Sequence, residues 1–167
     1  MDSDQTVNVS VVILSMGDRH NQLSEAISSV SRQIACETEI ILVWNGLEAV
    51  KEVKADHHIS LNTNVGIPAG RNHGASFANS ELIMFLDDDA RIIPSDLLAA
   101  AAIRFRNDDS LGVVALRILD EFGATSRRHI PRVGSKSAEI SGITAGFLGG
   151  ACIVRKKAWD EVNGYSG

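Results

Sequence analysis

Three consecutive aspartates, Asp87, Asp88 and Asp89, directly follow an apolar run at residues 82–86. Three adjacent carboxylates repel one another, and no turn requires three of them. If the backbone stays extended, Asp87 and Asp89 lie on the same side of the chain. Two hard oxygen ligands on one side suit Mg²⁺ or Mn²⁺, which usually also binds substrate phosphates and water. The alternative is an acidic loop whose first aspartate caps a helix that begins near Pro94.

A glycine-containing segment with one arginine, residues 64–74, is the second candidate site. Gly66 and Gly70 permit a tight loop that a ligand can approach closely. Pro68 can occupy the first turn of a helix, which also places Arg71 in that turn. A guanidinium there can bind a phosphate through two parallel hydrogen bonds. The alternative is an ion pair between Arg71 and a nearby carboxylate, and the two states can alternate as a phosphate ligand binds and leaves.

A pair of glycines, Gly149 and Gly150, is the third candidate feature and precedes an apolar run that ends at Arg155. Two residues without side chains open space against a sheet and let a ligand approach. A β-bulge or tight packing explains the same pair equally well, and the sequence does not separate these explanations.

The elements that must position these residues alternate between apolar strands and amphipathic helices. The predicted strands cover residues 9–14, 39–43, 58–62, 82–86 and 112–119, and the predicted helices cover residues 23–34, 48–54, 69–78, 94–106 and 159–162. Such alternation with short connections predicts an α/β fold with right-handed crossovers and a parallel sheet. Residues 121–142 are polar and contain glycine and proline, which indicates a loop or a loose hairpin.

Polar residues follow three of the predicted strands. Ser15 and Met16 come after the first strand, Asn45 comes after the second, and the aspartate run comes after the fourth. Ligands of open parallel sheets bind at the carboxyl ends of the strands. We therefore expect these segments to converge at one edge of the sheet. This convergence is the main evidence for a ligand site, because each segment alone is weak evidence.

Size and composition limit the function classes. The 167 residues fit one domain, and a hydrophobic fraction of 44% is enough for a core. The net charge of −5 disfavours a nucleic-acid-binding protein, but a metal ion can still offset the phosphates of a nucleotide. Cys36 and Cys152 lack metal-like spacing and predict buried, unpaired thiols. The acidic N-terminus and the lack of a long apolar run predict a cytoplasmic protein without a transmembrane segment, and peripheral docking on a membrane stays open.

Missing motifs disfavour two enzyme classes. The chain has no Walker loop and no Gly-x-Gly-x-x-Gly motif, which argues against a nicotinamide oxidoreductase. A nucleotidyltransferase also combines an α/β sheet with a metal, but no glycine-rich loop with arginine or lysine directly follows the first strand. None of the histidines has the sequence neighbours of a metal site.

From about Val9 onward, the chain resembles the family 2 glycosyltransferases of the GT-A fold. The similar segments have the order and spacing of that family, and they are residues 11–15, 41–46, 64–74, 85–89, 149–155 and 162–165. The resemblance implies a Rossmann-like three-layer sandwich with a mostly parallel central sheet. It also implies one domain over residues 1–167, in which residues 7–120 bind a nucleotide sugar and residues 121–167 begin an incomplete acceptor-side part.

The resemblance implies a role for each candidate residue. Ser15 and Asn45 contact the nucleobase, Arg71 contacts the donor, and Asp88 lies near the ribose or the donor sugar. The complete nucleotide-sugar site comprises Ser15, Met16, Asn45, Arg71, Asp87 and Asp88. Asp89, with Asp87 as a second ligand, holds a Mn²⁺ or Mg²⁺ ion that bridges the diphosphate. Gly149 and Gly150 lie on the acceptor side.

Two departures from the family pattern affect these expectations. The family often has an aromatic residue where Met16 stands and an aspartate in the turn where Trp44 and Asn45 stand. The identity of the base is therefore left open, and the donor nucleotide can be UDP, GDP or dTDP. Asp160 and Glu161 come too early in the chain to be the carboxylate that acts as general base in inverting members. That base is expected beyond Gly167, and the chain is interpreted as truncated at its C-terminus.

The resulting hypothesis is a metal-dependent, inverting transfer of a sugar from a nucleotide sugar to a hydroxyl acceptor. The acceptor is a glycan or a lipid-linked molecule, in glycan or cell-surface polysaccharide synthesis. The alternative is a catalytically inactive module that binds a nucleotide sugar or a partner, and the missing base favours it. A nucleotidyltransferase is the weakest of the three interpretations.

Overall fold

The computed structural model describes residues 7–130, 138–144 and 146–166. Six strands, four α-helices and one short 3₁₀ helix (Arg127–His129) occur in this part of the chain. The strands are β1 (Val7–Ser15), β2 (Cys36–Asn45), β3 (His57–Leu61), β4 (Leu82–Asp87), β5 (Val113–Ala115) and β6 (Ala151–Arg155). The helices are α1 (His20–Ser31), α2 (Ile67–Ala75), α3 (Leu97–Asn107) and α4 (Lys156–Glu161).

The six strands form one mixed sheet in the order β3-β2-β1-β4-β6-β5. The first four strands in this order are parallel, which confirms the mostly parallel α/β sheet. β6 inserts between β4 and β5 and runs antiparallel to both. The predicted fifth strand over residues 112–119 is present only at Val113–Ala115, and it runs in the same direction as β1 to β4 but pairs with the antiparallel strand β6 at the sheet edge. In the antiparallel pairing Leu86 lies opposite Ala151, so the start of β6 meets the end of β4.

Both faces of the central strand β1 are buried, as its almost unbroken apolar sequence predicts. Val9, Val11 and Ile13 belong to a core cluster with α1 and α3. Val12 lies on the opposite face, in a second cluster that includes residues of α2 and β6. The layers are therefore helix, sheet and helix, which confirms the three-layer sandwich.

Helix boundaries show where sequence periodicity was misleading. α1 buries its predicted apolar face but ends at Ser31, so Ile34 lies outside the helix with 58% of its surface exposed. The predicted helix over residues 48–54 is wrong, because this segment forms turns. Its apolar side chains Ala49, Val50 and Val53 instead pack against the α1–α3 side of the core as a loop. None of the helices in the described part of the chain is long and apolar enough to cross a membrane.

Candidate functional site

The carboxyl ends of β1, β2 and β4 place the predicted polar residues at one edge of the sheet. In the parallel register Ser15 pairs with Trp44 of β2, and Leu14 pairs with Asp87 of β4. Asn45 and Asp88 each follow one residue later, so both lie level with the end of β1. The expected convergence is therefore present in the fold, and it follows from the register of the central strands.

Asp88 is the most buried of the three aspartates, with 8% of its surface exposed. The hydroxyl of Ser15, itself buried, donates a hydrogen bond of 2.8 Å to Oδ2 of Asp88. Burial raises the pKa of Asp88, and the Ser15 hydrogen bond and the nearby Arg19 charge only partly oppose this rise. Asp88 is thus a carboxylate that the fold holds in one orientation at the end of β1.

Asp87 forms an ion pair with Arg71 of α2, with 2.6 Å between Nη2 and Oδ1. The Arg71 side chain is only 13% exposed, and its guanidinium carbon lies 5.8 Å from the centre of the Tyr165 ring. The backbone amide of Asp87 donates to the carbonyl of Gly150. The structure therefore shows Arg71 in an ion pair with a neighbouring carboxylate, which is one of the two alternatives given for it above.

Asp89 does not share the ion-pair partner of Asp87, and the chain turns directly after β4. The amide of Ala90 donates a 3.0 Å hydrogen bond to the carbonyl of Asp87, which closes this turn. The backbone therefore does not stay extended through Asp89, which was the condition for placing Asp87 and Asp89 on the same side. Asp89 instead pairs with Arg19 at 2.5 Å, a residue that sequence reasoning missed. Nor does any of the three aspartates cap α3, whose N-cap residue is Asp96.

Gly149 and Gly150 lie directly beneath the Arg71–Asp87 ion pair. A β-carbon on Gly149 would collide with the Arg71 guanidinium and lie 2.8 Å from the Tyr165 hydroxyl. A β-carbon on Gly150 would collide with the Asp87 carboxylate. The tight-packing explanation of the pair is therefore correct, and the groups that need the space are two of the predicted donor-site side chains.

Asn45 anchors the loop that precedes α2. Its side-chain carbonyl accepts a 2.9 Å hydrogen bond from the amide of Val65, and its side-chain nitrogen donates to Oδ1 of Asn64. Only 4% of Asn45 is exposed. Met16 is 59% exposed at the same edge, and its sulfur lies 3.7 Å from Nδ2 of Asn64. Both polar atoms of the Asn45 side chain are thus engaged within the protein, whereas Met16 faces solvent.

A clamp by Asn72 joins the end of the described chain to α2. The Asn72 side chain donates to the carbonyl of Tyr165 at 2.9 Å and accepts from its amide at 3.0 Å. Gly164 lies against this side chain in a left-handed backbone conformation that favours glycine. The clamp places the Tyr165 ring beside Arg71 and against Phe85. Sequence reasoning did not identify Asn72, whose partner is distant in the chain.

No group of three or more histidine, cysteine, aspartate or glutamate residues in the described part of the chain is arranged to hold a metal ion. Each of the three adjacent aspartates is engaged within the protein: Asp87 pairs with Arg71, Asp88 contacts Ser15 and Arg19, and Asp89 pairs with Arg19. His57 and His58 contact Glu39 and Trp44, respectively, which agrees with a structural role for both. The thiols of Cys36 and Cys152 are unpaired, and burial raises the pKa of Cys152 to about 11.

Comparison with known proteins identifies the family and the fold of the chain. The family model described as glycosyl transferase family 2 matches residues 10–162. A curated relative is the uncharacterized glycosyltransferase YwdF of Bacillus subtilis, 35% identical over 97 residues, which are 54% of this chain and 36% of the relative.

Two solved structures share the fold. Residues 1–349 of S. aureus TarS match with a TM-score of 0.72 and 17% identity, over 94% of this chain and 49% of that chain. The mannosyltransferase PcManGT from Pyrobaculum calidifontis, solved with GDP-Man and Mn²⁺, matches with a TM-score of 0.68 and 15% identity, over 95% of this chain and 47% of that chain. The same TarS fragment was also solved with UDP-GlcNAc.

This chain spans less than half the length of YwdF, of the TarS fragment and of PcManGT. The match to the family nevertheless extends over nearly all of its described sheet and helices. The chain belongs to glycosyl transferase family 2 and carries a glycosyltransferase domain of the GT-A fold.

Proposed function

We propose that this chain binds a nucleotide-sugar donor at the carboxyl edge of β1, β2 and β4, for transfer of the sugar to a hydroxyl acceptor. The observation that carries the proposal is the joint placement of Ser15, Arg71 and the three aspartates at that edge. TarS with UDP-GlcNAc and PcManGT with GDP-Man support a nucleotide-sugar donor for this fold. The wider role in glycan or cell-surface polysaccharide synthesis is part of the same proposal.

Arg71 is the residue proposed to bind the donor diphosphate. Its guanidinium is held by Asp87 and by the Tyr165 ring, and it is mostly shielded from water. A fixed, partly desolvated guanidinium stabilises negative charge more strongly than a mobile surface arginine does. When the bond between the sugar and the diphosphate breaks, charge develops on the phosphate oxygens, and in this proposal Arg71 stabilises that charge.

Asp88 is proposed to accept hydrogen bonds from hydroxyl groups of the ribose or the donor sugar. One of its oxygens receives the Ser15 hydrogen bond, and the other lies 3.6 Å from Nη1 of Arg19. Because Ser15 uses its hydroxyl to orient Asp88, its contribution to base binding would come through the backbone or through Asp88. Met16, exposed at the same edge, is the remaining candidate for contact with the base.

The residues at the end of β4 fit a divalent cation by the chemistry of their donor atoms. Asp87 and Asp89 are carboxylates with 53% and 50% of their side chains exposed, so both present hard oxygen atoms to solvent. A bound Mn²⁺ or Mg²⁺ supplies positive charge that offsets the diphosphate as the leaving group departs. Arg71 and Arg19 pair with these carboxylates in the structure, so binding of the cation would require new side-chain positions.

The proposal includes an inverting course, in which a carboxylate acts as general base on the acceptor hydroxyl. Asp160 pairs with Lys156 on α4 at 2.9 Å, which supports leaving it out of the catalytic role. No general base is therefore assigned within the described residues.

Titration calorimetry of the chain with UDP, GDP and dTDP, each with and without Mn²⁺, tests the donor site. We expect one nucleotide to bind more tightly with Mn²⁺ than without it, and Asp89→Asn to remove that difference. Absence of binding by a folded chain would contradict the donor site. Binding that Mn²⁺ and Asp89→Asn leave unchanged would contradict only the metal assignment. Release of sugar from the bound donor in the presence of alcohol acceptors then separates transfer from binding alone.

A further inference from the structure

We propose that Tyr165, held by Asn72, is a positioning residue of the donor site that keeps the Arg71 guanidinium in the orientation that binds a diphosphate. The resemblance described above implies that residues 121–167 lie on the acceptor side, so this proposal gives one of them a role in donor binding. It rests on the proposed function, because Arg71 is the residue assigned to the diphosphate there.

Tyr165 is connected to α2 through two adjacent residues of that helix. The Asn72 side chain donates a hydrogen bond of 2.9 Å to the carbonyl of Tyr165 and accepts one of 3.0 Å from its amide. The Tyr165 ring lies back against the same helix, with its centre 5.8 Å from the guanidinium carbon of Arg71. Because both contacts start from neighbouring positions on one helix, the backbone clamp determines where the ring stands beside the guanidinium.

Two further aromatic side chains hold the Tyr165 ring independently of Arg71. The ring centre lies 5.6 Å from that of Phe85 on β4. It lies 4.8 Å from that of Trp159 on α4, and these two rings meet edge to face. Aromatic rings at such distances attract one another in defined geometries. The Tyr165 ring is therefore a fixed surface beside the guanidinium.

The other contacts of Arg71 leave this fixed surface an important role. Asp87 pairs with Arg71 at 2.6 Å, but the Asp87 side chain is 53% exposed and can rotate into solvent. A β-carbon on Gly149 would collide with the guanidinium, so that side is closed by backbone. The Tyr165 ring is thus the side-chain contact of Arg71 that is itself held by packing. An arginine that is already oriented binds an anion more tightly, because less side-chain freedom is lost on binding.

The aromatic ring of Tyr165, rather than its hydroxyl, makes the contact on which the proposal depends. The hydroxyl lies 3.5 Å from the Gly149 carbonyl oxygen and 3.9 Å from the Cys152 sulfur, which are long distances for hydrogen bonds. The attraction between a cation and the face of a ring does not need the hydroxyl. Tyr165→Phe should therefore keep Arg71 in place, whereas Tyr165→Leu should release it.

Two measurements on the full chain test this role. Titration calorimetry with Mn²⁺ gives the affinity for whichever of UDP, GDP and dTDP the wild type binds most tightly. Loss of a partly desolvated cation–π contact should weaken that affinity about 3- to 30-fold in Tyr165→Leu, while Tyr165→Phe should stay within about twofold of wild type. Phenylglyoxal modification, followed by peptide mass spectrometry, gives the reactivity of Arg71 without any ligand. Tyr165→Leu should raise this reactivity severalfold, and Tyr165→Phe should leave it unchanged.

Asn72→Ala is the second test variant. It keeps every aromatic ring but removes the two hydrogen bonds that place the Tyr165 backbone. Asn72→Ala should therefore lower nucleotide affinity and raise Arg71 reactivity, as Tyr165→Leu does. It also provides the test if urea unfolding shows that Tyr165→Leu is not folded.

Phe105→Leu is the matched control. The Phe105 ring lies 5.4 Å from the guanidinium carbon of Arg155, so the variant removes a contact of the same kind. Arg155 pairs with Leu82 at the start of β4, and the Arg71–Asp87 ion pair lies at the other end of that strand. Phe105→Leu should therefore leave nucleotide affinity and Arg71 reactivity at their wild-type values.

The outcomes separate this inference from the donor site itself. If the wild type binds a nucleotide and the folded Tyr165→Leu and Asn72→Ala variants bind it equally well, the positioning role is wrong and the donor site stands. If the variants lose affinity while Arg71 reactivity is unchanged, or if Tyr165→Phe or Phe105→Leu loses as much, the positioning role is also wrong. If a folded wild-type chain binds no nucleotide, the proposed function fails and the donor-side role of Tyr165 fails with it.

Discussion

Replacement of Gly150 by alanine directly tests whether β6 supports the candidate site. The new β-carbon would occupy the position of the Asp87 carboxylate, so that carboxylate must rotate away from Arg71. The backbone of Gly150 is not in the left-handed region, so alanine introduces no backbone strain there. The substitution therefore perturbs one ion pair while the chain path stays compatible with the fold.

The magnitude follows from the exposure of the two partners. Asp87 is 53% exposed and can move into solvent, so the free energy of unfolding should fall by about 1–2 kcal/mol, within the usual range for overpacking. Arg71 is only 13% exposed and would lose the carboxylate that orients it. If Arg71 binds the donor diphosphate, loss of a well-placed charged hydrogen bond of about 1.5–3 kcal/mol weakens nucleotide binding roughly 10- to 100-fold.

Urea unfolding and nucleotide titration calorimetry measure these two effects on the same variant. Gly112→Ala is the matched control, because a β-carbon there would lie 3.6 Å from the β-carbon of Ala158, an ordinary contact. We expect Gly112→Ala to bind nucleotide with the wild-type affinity. Nucleotide affinity within twofold of wild type for Gly150→Ala would refute the reasoning, because it would show that the Asp87 carboxylate does not need to orient Arg71.

Two further predictions concern residues that hold the scaffold of the site. Gly74→Ala should lower the free energy of unfolding by about 1–2 kcal/mol in urea, because overpacking against Val12 and Val43 outweighs the gain in helix propensity; a more stable variant would contradict this contact. Burial tends to raise the pKa of Glu39, but hydrogen bonds from Ser10, Asn79 and His57 lower it overall. A lowered pKa means that the stabilisation is present above the ordinary value of 4.5 and is lost as the pH falls through the folded pKa. Glu39→Gln should therefore cost about 1–3 kcal/mol at pH 7 in urea unfolding and progressively less below pH 4.5, and a cost that does not change with pH would contradict it.

Local apolar patterns were sufficient to predict the four parallel strands β1 to β4, but they did not predict β6. The β-branched run in β1 predicts a strand buried on both faces, and it is the centre of the sheet. The offsets of Leu23, Ala26, Ile27 and Val30 predict the buried face of α1. These predictions succeed because burial against a sheet imposes a period on the sequence, which can be identified without knowing the partner.

The same patterns were insufficient where an element depends on distant partners. Residues 48–54 have apolar spacing that suggests a weak helix. The side chains of Val50 and Val53 do pack against the core, but the segment that carries them is a loop. Residues 112–119 are apolar enough for a strand, but only three of them pair with another strand. Their partner is β6, which begins almost 40 residues later in the sequence. Apolar content records that a residue is buried, and it does not record which neighbour covers it.

The type and approximate place of the candidate site residues were determined by the sequence alone. The aspartate run after a buried strand, Arg71 early in a helix and the glycines before β6 are local features, and strand order brings the strand ends together. The tertiary structure decided which charge meets which. In the structure Asp87 pairs with Arg71, and Asp89 pairs with Arg19. These side chains belong to different elements, so they come within reach of one another only after the sheet has assembled.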